Sequence, residues 1–168
     1  MMKFALWAVV AAVGIATIMP HGPPSAPVAA VQRGEVAPPV AQLAGNGLAE
    51  VTLTRAPDGH FYADALINGA TIHVLVDTGA STVALTRADA QAAGIQFSGG
   101  DFTATAQTAG GAVALKPITL DRVGIGAVEA RNVDAVVVKS TLSVSLLGQS
   151  WLRRVGNVQI AGDRMVLR

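Results

Sequence analysis

The stretch Ile72-His73-Val74-Leu75-Val76-Asp77-Thr78-Gly79-Ala80-Ser81 constrains this chain more than any other. Ile72, Val74 and Val76 alternate with His73 and Leu75, and such a β-branched run reads as a buried strand. It leads straight into a carboxylate, a hydroxyl and a glycine. An acid at the end of a buried strand is held by fixed backbone rather than by a mobile loop. Thr78 offers a donor and an acceptor on a stiff β-branched side chain. Gly79 permits a tight turn and the close approach of another group. From these residues alone, Asp77 is either a reacting group or the cap of a turn or helix after the strand.

The remainder of the chain reads as short strands separated by turns, the layout of an all-β domain. Val51 to Thr54 alternates, Pro57-Asp58-Gly59 turns, and Phe61 to Ile67 alternates again. Asn68-Gly69 is a strong two-residue hairpin signal and feeds the Asp77 strand. After Val83-Ala84-Leu85, a short helix is expected from Thr86 to Ala93. Thr86 caps the amide of Asp89, and Gly94 lies just past the end. Phe102 to Leu115 is polar and glycine-rich and reads as an exposed hairpin. Lys116 to Val123 is a strand, turned by Gly124-Ile125-Gly126. Val128 to Ala130 and Val133 to Val138 continue the sheet. Ser145-Leu146-Leu147-Gly148 leads into a short helix from Gln149 to Arg154. Val158 to Ile160 and Met165 to Leu167 make a terminal hairpin around Gly162-Asp163.

Composition narrows the chemistry. The 168 residues point to one domain, and the scarcity of aromatics leaves a core of Val, Leu, Ile and Ala. A net charge of +1 without a basic stripe gives no argument for nucleic acid. The absence of cysteine excludes disulfides, thiolate zinc sites and a cysteine nucleophile. His21, His60 and His73 do not fall at metal-ligand spacing, so no metal is expected.

The amino-terminal part is organised differently. Residues 1–19 carry a charge-free run of sixteen residues, Phe4 to Met19, after Lys3. As a helix this run spans about 24 Å, slightly short of the ~30 Å hydrocarbon core of a bilayer. It is read as a signal anchor or a signal peptide. Cleavage sites near it are poor: Ala26 precedes Pro27, and Val28-Ala29-Ala30 lies far from the run. An uncleaved anchor is therefore expected, with Lys3 on the cytoplasmic side. Residues 20–47 form a Pro/Ala-rich linker; Pro20 to Asn46 holds six of the eight prolines. The folded domain is expected over residues 48–168.

Asp-Thr-Gly-Ala-Ser after an apolar strand resembles the active-site signature of the aspartic proteases, in its retroviral (retropepsin) branch. Further elements follow in the same order: the short helix, a glycine-tipped hairpin about thirty residues past Asp77, and the apolar-apolar-Gly element Leu146-Leu147-Gly148. With the N-terminal run, the chain resembles the membrane-anchored, single-domain retropepsin-like proteases of bacteria. One departure stands out. Retroviral enzymes usually carry Arg directly after this Gly, and here the residue is Gln149, which leaves the dimer-stabilising role of that Arg in doubt. Arg153 and Arg154 are the nearby candidates for its charge.

The resemblance implies a retropepsin-like closed β-barrel with one or two short helices, after an N-terminal hydrophobic helix. It implies an aspartic endopeptidase in which two carboxylates share one proton around a water, because like charges so close cannot both ionise. Only one Asp-Thr-Gly is present, so the second acid must come from a second chain, as a C2 homodimer. Asp77 is then catalytic, and Thr78, Gly79, Ala80 and Ser81 support the site. Gln107, Thr108, Ala109, Gly110 and Gly111 form the flap over a peptide or protein substrate. No cofactor is implied. The expected location is the bacterial inner membrane, single-pass, with the protease domain periplasmic; the alternative is a secreted or periplasmic protein after signal cleavage. The rival reading of function is a catalytically inactive retropepsin-fold binding or dimerisation module of the cell envelope.

Overall fold

The Asn68-Gly69 pair starts the architecture. Asn68 and Gly69 both take positive φ, 49° and 93°, the backbone twist that a two-residue hairpin requires. They join β3 (Tyr62–Ile67) to β4 (Ala70–Val76) in antiparallel register. Ala63, Ala65 and Ile67 on β3 and Ile72, Val74 and Val76 on β4 are buried, so the period-two pattern sets the inward face. The structure, a computed structural model, describes residues 40–43, 49–108, 111–140 and 142–168. The expected anchor at residues 1–19 lies outside the described residues. Among the described residues no helix is long and apolar enough to cross a membrane.

The other elements follow in order: β1 (Val40–Leu43) and β2 (Ala49–Thr54) ahead of the hairpin, then β5 (Val83–Leu85) and α1 (Arg87–Ala92) behind it. Next come β6 (Ala104–Thr108), β7 (Gly111–Ile125), β8 (Val128–Val138), β9 (Ser145–Leu147) and α2 (Gln149–Leu152), and finally β10 (Val158–Ala161) and β11 (Arg164–Leu167). The main sheet runs β3-β4-β9-β5-β8-β7-β6. An additional β3–β7 pairing at Leu66↔Gly124 and Ile67↔Val123 closes six of these strands into a barrel. β6 stands outside the ring as the free edge. The second sheet, β1-β2-β11-β10, joins the two ends of the domain. Its strand β1 falls inside the stretch expected as linker.

The core is aliphatic, as the composition implies. Val51 and Leu53 of β2 meet Met165 and Leu167 of β11, and the barrel strands contribute Val74, Val83, Leu85, Leu120, Val123, Val133, Val137 and Leu147. Among the described residues the core's largest fully buried side chain is Trp151. Its indole N–H donates to the Val123 carbonyl at 2.8 Å, which satisfies the one polar atom that burying a tryptophan would otherwise strand.

Four expected boundaries shift. β8 is continuous across the break anticipated at residues 131–132: Asn132 takes φ 52°, but Arg122↔Arg131 and Leu120↔Val133 keep one register on either side. Asparagine tolerates this conformation better than most residues. β7 extends to Ile125, which pairs with Val128, so the turn is Gly126-Ala127 rather than Gly124-Ile125-Gly126. β7 also begins at Gly111 and runs through Pro117, so the second arm of the glycine-tipped hairpin and the strand after it are one element. Pro117 sits where β7 has only β8 beside it, between the β6 pairing and the β3 pairing, so its missing N–H breaks no ladder bond on the other side. The helix expected through Arg154 is shorter: α2 ends at Leu152.

Candidate active site

Asp77 is delivered by β4 and clamped by β9. These two strands run parallel, with Val74↔Ser145, Leu75↔Leu146 and Val76↔Leu147 in register. The Asp77 N–H continues the ladder by donating to the Leu147 carbonyl at 3.1 Å. The two stretches that the sequence marks out separately, Asp77-Thr78-Gly79 and Leu146-Leu147-Gly148, are thus hydrogen-bonded neighbours.

The backbone beyond Asp77 folds back on its side chain. The Gly79 N–H donates to Asp77 Oδ1 at 2.8 Å, and the Ala80 N–H to the Asp77 carbonyl at 3.3 Å. A Cβ at Gly79 would stand 3.2 Å from Asp77 Oδ1, so a side chain here would push the carboxylate aside by a few tenths of an ångström. Asp77 and Ala80 are half-buried, whereas Thr78 and Ser81 are exposed.

Gly148 answers a tighter constraint. A Cβ at this position would lie 2.3 Å from the Thr82 carbonyl oxygen and 2.7 Å from that of Ala80. No side chain fits between β9 and the loop that leaves Asp77. This close approach lets the next residue bind the loop twice. The Gln149 N–H donates to the Ala80 carbonyl at 2.8 Å, and its side-chain Nε2 donates to the Thr78 carbonyl at 2.8 Å.

The arginines anticipated as charge donors are occupied otherwise. Arg153 Nε donates to the Gln149 carbonyl at 3.3 Å, and Arg154 Nη1 to the Arg131 carbonyl at 3.0 Å. The group that reaches the Asp77 loop is the neutral amide of Gln149.

A buried polar node, which pattern reading does not single out, braces the other side of the loop. Ser145 is fully buried. Its hydroxyl donates to Asp89 Oδ2 and accepts from the Thr86 N–H at 3.0 Å. The Thr86 hydroxyl also donates to Asp89 Oδ2, at 2.8 Å, and accepts from the Asp89 N–H at 3.0 Å. The expected Thr86 cap is present, and β9 is tied into it. The available signal was a lone serine heading an apolar strand. Ser150 does the same for the start of β5: its hydroxyl accepts from the Val83 N–H at 2.9 Å.

The expected flap is the β6–β7 hairpin. Gln107 pairs with Ala112 and Thr108 with Gly111, and the Thr108 hydroxyl donates to the Gly111 carbonyl at 2.9 Å. Ala109 and Gly110, at the tip, lie outside the described residues. The base is fastened to the body. Lys116 Nζ donates to the Gln96 carbonyl at 2.8 Å and to Asp101 Oδ2 at 3.0 Å. The Ser98 N–H, and then Lys116, hold the Asp101 carboxyl below its ordinary value of 3.8. Among the described residues no three His, Asp or Glu side chains stand close enough together to hold a metal ion.

Residues 63–154, more than half of the chain, match the family described as gag-polyprotein putative aspartyl protease. The crystal structure of a retropepsin-like aspartic protease from Rickettsia conorii superposes with a TM-score of 0.63 at 42% identity, covering 70% of this chain and 98% of that one. The chain belongs to the retropepsin-like aspartic protease family. Two curated relatives are similar to this retropepsin-like chain. An uncharacterized protein in the cobV 5′ region of a Sinorhizobium species is 39% identical over 124 residues, 73% of this chain and 53% of that protein. The uncharacterized protein RP867 of Rickettsia prowazekii (strain Madrid E) is 41% identical over 118 residues, 70% of this chain and 51% of that protein. This retropepsin-like chain thus spans about half the length of the curated relatives it matches. EIAV protease, solved in complex with the inhibitor HBY-793, shares the fold at a TM-score of 0.51 and 22% identity, over 65% of this chain and 100% of that one.

Proposed function

We propose that the protein is an aspartic endopeptidase whose active site is completed by a second copy of the chain. The observation that carries this reading is the holding of Asp77. A single half-buried carboxylate is fixed at a strand end by β9, by the Gly79 N–H and by a loop with no room to drift. A capping aspartate would share the Gly79 N–H bond, but it needs neither the β9 clamp nor the wedged loop.

One Asp77 cannot perform the reaction, because the chemistry needs a base and an acid together. With two copies around a twofold axis, one carboxylate is ionised and the other protonated. The ionised Asp77 takes a proton from the bound water, and the water oxygen bonds to the scissile carbonyl carbon. The protonated acid gives its proton to the carbonyl oxygen. Collapse of this tetrahedral adduct returns that proton to the second Asp77 and breaks the C–N bond, as the amine takes the proton that the first Asp77 drew from the water. Thr78, exposed beside Asp77, is suited to hydrogen-bond across the axis. The β6–β7 hairpin is suited to cover an extended peptide and exclude water.

The direct test is Asp77→Asn in the full-length protein. An amide of almost the same size cannot act as base, and removing such a group costs about 10²–10⁴-fold in rate. Peptide cleavage is expected to fall by at least this much while the fold persists. A purified variant that cleaves at the wild-type rate would show that Asp77 is not the acid.

We also propose that the Phe4–Met19 run anchors the protease domain on the periplasmic face of the bacterial inner membrane. Lys3 ahead of a charge-free run supports this orientation. Recovery of the mature protein in the soluble fraction, with an N-terminus beyond residue 25, would favour signal cleavage instead.

A further inference from the structure

Gln149 makes two hydrogen bonds to one loop, and the side-chain bond has a consequence for the carboxylate. The acceptor of Gln149 Nε2 is the Thr78 carbonyl, at 2.8 Å. That carbonyl and the Gly79 N–H are the two ends of a single planar peptide unit. The Gly79 N–H in turn donates to Asp77 Oδ1 at 2.8 Å. The amide of Gln149, the Thr78–Gly79 peptide and the Asp77 carboxylate therefore form one relay. In a trans peptide the C=O and N–H point in opposite directions. A donor on one end and an acceptor on the other fix the rotation of the whole plane. Each bond also polarises the next in the same sense.

We propose that Gln149 is a positioning residue for Asp77: its side-chain amide holds the Thr78–Gly79 peptide plane, which keeps the Gly79 N–H aimed at Asp77 Oδ1 and the second carboxylate oxygen free for the water. The proposal rests on the peptidase reading above. Gln149 is itself well anchored for this role. It opens α2, directly after a glycine wedged against Ala80 and Thr82, and two residues before the fully buried Trp151. An arginine at this position would bring a charge and several donors; glutamine supplies the single neutral donor that the carbonyl needs.

Substitutions separate this role from packing. Gln149→Glu keeps size and shape but presents oxygen to the Thr78 oxygen. When the new carboxyl is protonated, below the ordinary glutamate pKa of about 4.3, its O–H is a donor again. Gln149→Ala removes the donor at every pH. The experiment measures kcat and KM of the full-length wild type, Q149E and Q149A on one peptide from pH 3.5 to 7, with oligomeric state checked by sedimentation. At pH 6–7, kcat of both variants is expected to fall about tenfold to a hundredfold, the scale of a small misplacement of a reacting group, with KM little changed. For Q149E alone, the deficit shrinks as pH drops through the glutamate range. A Q149E deficit that stays constant with pH, or that disappears when protein concentration is raised, would overturn the proposal.

A second readout does not depend on activity. In ¹H–¹⁵N spectra of the folded protein, the Gly79 amide proton is expected to move upfield and exchange faster in Q149E at neutral pH. A Gly79 amide identical to wild type overturns the proposal even if catalysis suffers. If the wild type cleaves no peptide, the peptidase reading fails, and this spectrum still decides whether Gln149 orients the Thr78–Gly79 plane.

Discussion

Gly148 shows how one absent atom can set the geometry of a site. Its φ of −98° is ordinary, so its requirement is steric and not conformational. A methyl group there would lie 2.3 Å and 2.7 Å from two carbonyl oxygens, well inside van der Waals contact. Gly148→Ala is therefore expected to cost more than the roughly 1–3 kcal/mol typical of overpacking, because backbone rather than a movable side chain stands in the way. Urea denaturation would measure this, and a midpoint equal to wild type would mean that the loop is not held as described. Trp151 works in the opposite sense, by filling volume. Truncation of such a residue, Trp151→Ala, is expected to remove about 3–5 kcal/mol and to leave the Val123 carbonyl without its donor.

At the scale of elements, the site depends on side chains that join strands distant in sequence. Ser145 at the head of β9 receives the Thr86 N–H and donates to Asp89, so it links β9 to the first turn of α1. Ser145→Ala would leave the partly buried Thr86 N–H without its acceptor and remove one of the two hydroxyl donors to Asp89 Oδ2. Stranding such groups costs about 1–3 kcal/mol, and the loss is expected in the denaturation midpoint with an unchanged slope. The base of the β6–β7 hairpin offers a pH-dependent counterpart. Asp101 has its pKa lowered by the Ser98 N–H and then by Lys116. The folded value lies below the unfolded one, so the carboxylate contributes fully above the ordinary 3.8 and loses its contribution as pH falls through the lower, folded value. The group is exposed, so the effect is small. Asp101→Asn is expected to flatten the acid side of the stability-versus-pH curve relative to wild type. Curves of identical shape would mean that Asp101 gains nothing from its partners.

For the whole molecule, the decisive question is whether two chains share one site. If they do, mixing wild type with an equal amount of Asp77→Asn chains leaves about a quarter of the dimers with two acids once subunits exchange. Activity per wild-type chain then falls by about half, and falls further with excess variant. Activity that stays proportional to wild-type concentration would establish a competent single chain and remove the shared-acid mechanism.

Local sequence determined the strand ending in Asp77, the Asn68-Gly69 hairpin, the Thr86-capped helix and the all-β class, because each rests on a short-range rule. Alternation selects a face, positive φ selects Asn and Gly, and a hydroxyl caps the next turn. The same information placed Leu146-Leu147-Gly148 near the acid only through its likeness to a family. Tertiary structure decided what these pieces do to one another. The parallel β4–β9 ladder, the closure of the barrel by β3 against β7, the burial of Ser145 and the reach of Gln149 to Thr78 all join positions far apart along the chain. No local pattern encodes such pairings, since one glutamine or serine looks like any other until the fold brings its partner within about 3 Å. Gln149 is the plainest case: by sequence it is a missing arginine, and in the fold it is the donor that grips the Asp77 loop.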